Sequence, residues 1–273
     1  MVSNINYYLY NLPNFYDQNA IALGQTLMRL VSGKKIQSPS DDVATYYRIQ
    51  DLNNQYSQYQ DIKQNLTEWQ SAMEVASTSG GELYNKLLRM KDLSALYDSA
   101  DSETQAQYTA EYNQLKADVS TIISTTSWGS TSLLNSTTSL KKIDLVPDAT
   151  DDTQRLDINP GEAITAAHLT ALTPEAGEDI GDVSDHIQDA ISDVQTFTAK
   201  VSGYLSALQS HINISSTIMT NTQSFNSLLA NTNDAEEMLN YTSQSIRQQA
   251  ALAMLSQGYL AQKSIIALYQ FGR

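Results

Sequence analysis

The sequence predicts a mainly α protein, an elongated coiled-coil-like helical bundle with a small β-hairpin insert and long terminal helices. Three observations predict it. Apolar residues recur at alternating steps of four and three in two segments far apart in the chain, the seam of a helix packed lengthwise on another helix. Only five prolines and eleven glycines interrupt 273 residues, and runs of Ala, Leu and Gln favour helix. Charge is also uneven: Asp148 to Asp193 holds twelve acids and one base, Arg155, whereas Asp234 to Arg273 balances three acids with three bases. The middle reads as solvated and the ends as buried.

The first seam runs through Ile62, Leu66, Trp69, Met73, Ala76, Gly80, Leu83, Leu87 and Met90, with Leu52, Tyr56 and Tyr59 upstream after one slipped step. It predicts one helix from about Asp41 to Tyr97. Ser38-Pro39-Ser40-Asp41 reads as its start, with a serine N-cap, proline at the first position and an acid three residues on. Asp41 and Asp42 then complement the macrodipole of the first turn. The second seam, from Ile180 through Val194, Phe197, Val201 and Leu208 to Leu229, holds for about seven heptads. Each seam leaves an apolar stripe to be covered, so the two are natural partners. A third helix, from about Glu103 to Ser124, brings Tyr108, Tyr112, Leu115, Val119 and Ile122 to one face. Ile143 to Val146 and Arg155 to Ile158 read as a hairpin, and Gly161 to Gly177 as a loop with one helical turn.

The ends form the remaining helices. Near the start, Ile5, Leu9, Leu12, Tyr16, Ala20, Leu23, Leu27 and Leu30 make a stripe that Pro13 either kinks or begins. Ala250 to Tyr269, including Leu252, Leu255, Tyr259, Ile266 and Tyr269, is apolar on nearly every face and needs neighbours all round. These residues are the candidate polymerisation contacts, because one end helix covers only part of the other. The resulting segmentation is 1–37, an end helix; 38–140 and 178–230, the two halves of the bundle; 141–177, the hairpin insert; and 231–273, the second end helix.

Composition and motifs exclude several function classes. A net charge of −14 repels phosphate backbones and anionic headgroups, so neither nucleic acid nor membrane is an expected partner. Ala250 to Tyr269 is interrupted by Ser256, Gln257, Gly258, Gln262 and Lys263, short of the roughly 20 apolar residues of a bilayer span. No Sec-type leader is recognised at the start. With no cysteine, thiolate chemistry and disulfides are absent. Phosphate-loop, zincin and nucleophile-elbow patterns are missing too. His168, His186 and His211 are scattered, and Asp148, Asp151 and Asp152 lack the alternation and closing glutamate of a calcium loop. No enzyme, metal or cofactor is expected.

The run Leu27-Met-Arg-Leu-Val-Ser-Gly-Lys-Lys-Ile-Gln-Ser-Pro-Ser-Asp-Asp42 resembles the flagellin N-terminal signature. Asn233-Asp-Ala-Glu-Glu, Ile246-Arg-Gln-Gln-Ala250 and Ala253-Met-Leu-Ser-Gln257 are similar to the flagellin ending. Leu88 to Leu93, and Trp128-Gly129 before Leu133-Leu134, resemble two further family landmarks, although Trp128-Gly129-Ser130 departs from the family's F-N-G and the large outer domains are missing. The resemblance implies an extracellular structural subunit that self-assembles into a motility filament, with end helices paired in the filament core. It also implies type III export with an export chaperone on the C-terminal segment, and contact with filament cap and hook-junction proteins. A hook-filament junction protein shares both end helices and is the alternative; a secreted helical membrane translocator is the alternative of another class. By the same resemblance, a Toll-like receptor would engage Arg89, Leu93 and Glu111. Spacing places Arg89 and Leu93 one helical turn apart.

Overall fold

The computed structural model describes the backbone of residues 2–271 and the side chains of 13–260, 263 and 264. Six helices, α1 (Val2–Ser32), α2 (Val43–Tyr97), α3 (Ser102–Thr125), α4 (Ala166–Ala171), α5 (Ser184–Ala230) and α6 (Asp234–Phe271), account for most of it. Four short strands, β1 (Ser127–Trp128), β2 (Thr131–Ser132), β3 (Lys141–Asp144) and β4 (Arg155–Ile158), form two antiparallel pairs, β1 with β2 and β3 with β4. Packing divides the chain into one unit of residues 1–53 and 223–273 and another of residues 54–222. Both boundaries fall inside long helices, α2 and α5.

The 54–222 unit is built on the two seams. Every residue of the first, from Ile62 to Met90, is buried, Gly80 included. The second is buried from Ile180 to Leu208 apart from a half-buried Tyr204. Its first two members, Ile180 and Val183, precede α5. The helices approach closely at Gly80, where a Cβ would lie 3.0 Å from Thr198 Oγ1 and 3.7 Å from the Phe197 ring. On α3, Tyr112, Val119 and Ile123 are buried, so Ile123 takes the inward place expected of Ile122, which is half-buried. The Tyr112 hydroxyl donates to the Leu172 carbonyl at 2.8 Å. Burial raises its pKa far above the phenol range, so it stays a neutral donor.

The insert folds as β3 and β4, registered Ile143 to Leu156, with α4 after them. Ile143 and Ile158 face the core along with Ala163, Ile164 and Leu172. The expected first strand shifts by two residues, because β3 starts at Lys141 and ends before Val146. The hairpin β1–β2 was not legible: its strands are too short to show a period of two. Gly129, at φ +59, supplies the positive φ that a two-residue hairpin turn needs at its first position.

The cap of α2 differs from the expected serine. Asp42 caps it, accepting from the Thr45 amide at 3.2 Å and the Thr45 hydroxyl at 2.6 Å. Asp41 instead closes the preceding turn, accepting from the amides of Gln37 and Ser38 at 3.0 and 2.9 Å. Both acids therefore precede the first helical turn rather than lying in it. Pro39 sits in that turn, where its fixed φ is compatible. Asp101 caps α3 through the Thr104 amide at 2.8 Å.

These carboxylates give the fold an acid sensitivity. The Thr45 hydroxyl and amide hold Asp42 below the ordinary carboxylate range, those of Thr104 do so for Asp101, and the Lys86 ammonium and Gln114 amide for Asp118. A lowered folded pKa means the unfolded chain binds more protons. The stabilisation is thus complete above the ordinary range and is lost as pH falls through the lowered values. The thermal midpoint should fall on acidification below about pH 4, and Asp101→Asn should weaken that dependence; a midpoint flat down to about pH 3 would refute it.

Candidate assembly surface

In the 1–53/223–273 unit, α1 packs on α6. Arg29 lies 3.7 Å from Glu237, while Asn19 and Thr26 both reach Gln244, so the two helices run antiparallel. The Asn19 side-chain amide donates to the Gln244 carbonyl at 2.7 Å, and the Thr26 hydroxyl donates to the Gln244 side-chain oxygen at 3.0 Å. The connectors after α1 and before α6 are also tied. Lys34 bridges Asn231, Lys35 donates to the Ala230 carbonyl at 2.7 Å and Thr232 to the Gly33 carbonyl at 3.0 Å. Gly33, at φ +66, makes the turn out of α1. Ile36, Ile49 and Ala230 form a small core beside it.

The seam of this pair is more polar than the apolar stripe suggested. On α1 it runs through Asn19, Leu23, Thr26 and Leu30, at steps of four, three and four. On α6 it runs through Glu237, Gln244 and Ala251, with Tyr241, Gln248 and Leu255 half-buried between and beyond them. Asn19, Thr26 and Gln244 were missed by sequence reasoning because polar side chains break an apolar count. Their place in the four-three spacing beside Leu23 and Leu30 was the available signal.

The candidate polymerisation residues separate accordingly. Leu23, Leu30 and Leu255 lie half-buried on the intrachain seam, whereas Leu27, Leu252 and Tyr259 are exposed. The side chains of Ile5, Leu9, Leu12, Ile266 and Tyr269 lie outside the described residues. Pro13 falls within α1, which continues on both sides of it.

The receptor triplet is not one surface. Arg89 makes a two-pronged ion pair with Glu111, at 2.7 and 3.0 Å, with both side chains about half exposed. That hydrogen bond holds Glu111 below the ordinary carboxylate range. Leu93, expected to face the same partner, is completely buried in the 54–222 core. One turn along α2 from Arg89, it is rotated onto the inward face, where apolar burial is favoured.

Elsewhere, an open groove of about 750 Å³ beside Trp128 is lined by Tyr56, Gln60, Lys63 and Glu68 among others and holds no catalytic constellation. Among the described residues no three His, Cys, Asp or Glu side chains gather as a metal site, and no helix is long and apolar enough to cross a membrane.

Residues 4–139 match the family described as the bacterial flagellin N-terminal helical region. A flagellin of Halalkalibacterium halodurans is 26% identical over 95% of this chain and 98% of its own length. A flagellin of Listeria innocua is 22% identical over 94% of this chain and 95% of its own. Polar flagellin F of Vibrio parahaemolyticus is 35% identical over 41% of this chain and 30% of its own length. A crystal structure of Bacillus cereus flagellin aligns over 58% of this chain and 88% of its own at 19% identity, with a TM-score of 0.37, too low to bear on the fold. Similarity along nearly the whole chain to flagellins, a family of structural proteins, marks a subunit that associates with itself. The chain belongs to the bacterial flagellin family. It is a short flagellin and a structural component of the flagellar filament.

Proposed function

We propose that the subunit polymerises through segments 1–37 and 231–273, while the bundle halves 38–140 and 178–230 and the insert 141–177 carry most of the charge that keeps it soluble. The observation that supports this most is the large exposed apolar side chains concentrated on α1 and α6, with few ionised groups between them. Surface of that kind is normally covered by association. Copies of a chain charged −14 repel each other over most of their surface, and least where charge is sparse. The hook-filament junction reading gains nothing from the relatives described above, which are flagellins. Export by a type III route, a chaperone on the C-terminal segment, and contacts with cap and hook-junction proteins rest on the family resemblance. Toll-like receptor recognition would use Arg89 and Glu111, without Leu93.

Concentrating the full chain should yield long fibres by electron microscopy without lipid. Deleting Ala250 to Arg273 should abolish them and leave a helical, soluble subunit. Long fibres from the truncated chain would refute the assignment.

A further inference from the structure

The third helix of the bundle is much shorter than the two it packs on. α3 ends at Thr125, and the Thr126 hydroxyl donates to the Ser79 hydroxyl of α2 at 3.3 Å. From there toward Tyr56, α2 keeps α5 beside it, with Gln70 donating to Gln209 at 3.1 Å. The hairpin β1–β2 stands at the near end of the strip that α3 leaves open, where the Trp128 indole N–H donates to the Glu68 carboxylate at 3.4 Å. The groove of about 750 Å³ lies here, within the 54–222 unit, with Tyr56 and Trp128 as aromatic walls and Met219 contributed by α5. Its volume falls in the range of small-ligand sites, about 300–1,000 Å³. From Tyr56 to Ser71 it follows one face of α2 for about 22 Å, at 1.5 Å per residue, which suits an elongated ligand better than a single ring. Among the described residues, the side chains of Gln60, Lys63 and Gln64 in this lining engage no hydrogen-bond or ion-pair partner.

We infer that this groove binds a neutral oligosaccharide. Each hydroxyl of a sugar both donates and accepts, and so do the side-chain amides of Gln60 and Gln64 and the hydroxyl of Tyr56. The C–H face of a sugar ring is apolar and packs on the broad rings of Trp128 and Tyr56. Charge selects against an ionic ligand, because Lys63 and Glu68 cancel within the lining and the −14 of the chain repels anions. Peptides fit the groove poorly. An extended peptide needs a free strand edge, and α2 spends its backbone groups inside the helix; a docked helix needs apolar anchors at three- and four-residue spacing, and between Tyr56 and Ser71 the α2 lining is Gln60, Lys63, Gln64, Thr67 and Glu68. Glu68 is the single carboxylate of that lining, whereas glycoside hydrolysis takes a pair, so the groove holds a sugar without cleaving it. The site belongs to the single subunit and is independent of how copies polymerise.

The test titrates the full chain, as unpolymerised subunit, with maltotriose, cellotriose and triacetylchitotriose by calorimetry. A hyaluronan tetrasaccharide and a chitosan trimer serve as anionic and cationic counterparts. At least one neutral trisaccharide should saturate with a Kd of about 1 mM or tighter, and should bind about fivefold or more tighter than either charged one. Gln64→Ala removes an exposed side chain without a partner, so it should leave the fold intact and weaken binding about fivefold or more. Trp128→Ala should weaken it further and Trp128→Phe less, since phenylalanine keeps a ring; circular dichroism checks that both stay folded. Gln195→Ala, outside the groove, should bind as the unsubstituted chain does. No saturation by any neutral saccharide overturns the inference, and so does tighter binding of a charged one. Binding that survives both Gln64→Ala and Trp128→Ala places the sugar elsewhere and overturns it too. A subunit dimer lost on Gln64→Ala, with no saccharide bound, would assign the groove to a second copy instead.

Discussion

Phe197→Ala should destabilise the 54–222 unit by about 3–5 kcal/mol, the cost of removing a buried aromatic ring and leaving part of its volume empty. Phe197 is 1% exposed and lies beside Gly80, across the α2–α5 seam. With no side chain on the glycine, no flexible group stands there to fill the void. Urea unfolding followed by circular dichroism should show a lower midpoint at an unchanged slope, since the surface exposed on unfolding barely changes. A loss below about 1 kcal/mol would mean that the seam recloses, and that the close approach at Gly80 is not fixed by the ring.

The reciprocal change, Gly80→Leu, should cost about 1–3 kcal/mol by overpacking. A Cβ at this site already stands 3.0 Å from Thr198 Oγ1, whose hydroxyl donates to the Val194 carbonyl at 2.7 Å. The rest of a leucine would press on the Phe197 ring. Gly80→Ala separates the two contributions: alanine gains about 1 kcal/mol of helix propensity, which offsets a contact that Thr198 relieves by turning its side chain. The alanine variant should therefore unfold close to the parent chain while the leucine variant unfolds early. Equal midpoints for the parent, alanine and leucine variants would refute a close approach at this point.

Much of the bundle was legible because its period is unbroken. The seam from Ile62 to Met90 is a run in which each member has its successor three or four positions on, and every member of it is buried. The end of α2 at Tyr97 and the bounds of α3, within a residue of those expected, follow from the same periodicity. The candidate surface was legible only in part. Counting apolar residues selected Leu23, Leu30 and Leu255 together with Leu27, Leu252 and Tyr259, but it does not say which side of a helix its partner takes. Nor does it weigh Asn19, Thr26 and Gln244, whose burial is compensated by hydrogen bonds between residues more than 200 positions apart.

The sequence by itself determined the helical class, the two long seams, the hairpin and the family, because each is written in local spacing or in contiguous motifs. Tertiary structure alone decided which α1 and α6 faces pair, that Asp42 rather than Ser38 caps α2, and that Leu93 turns inward while Arg89 reaches Glu111. The physical reason is shared. An amphipathic period fixes that a helix forms and roughly how wide its buried stripe is, whereas the choice among neighbouring residues depends on which donors and acceptors meet across the contact.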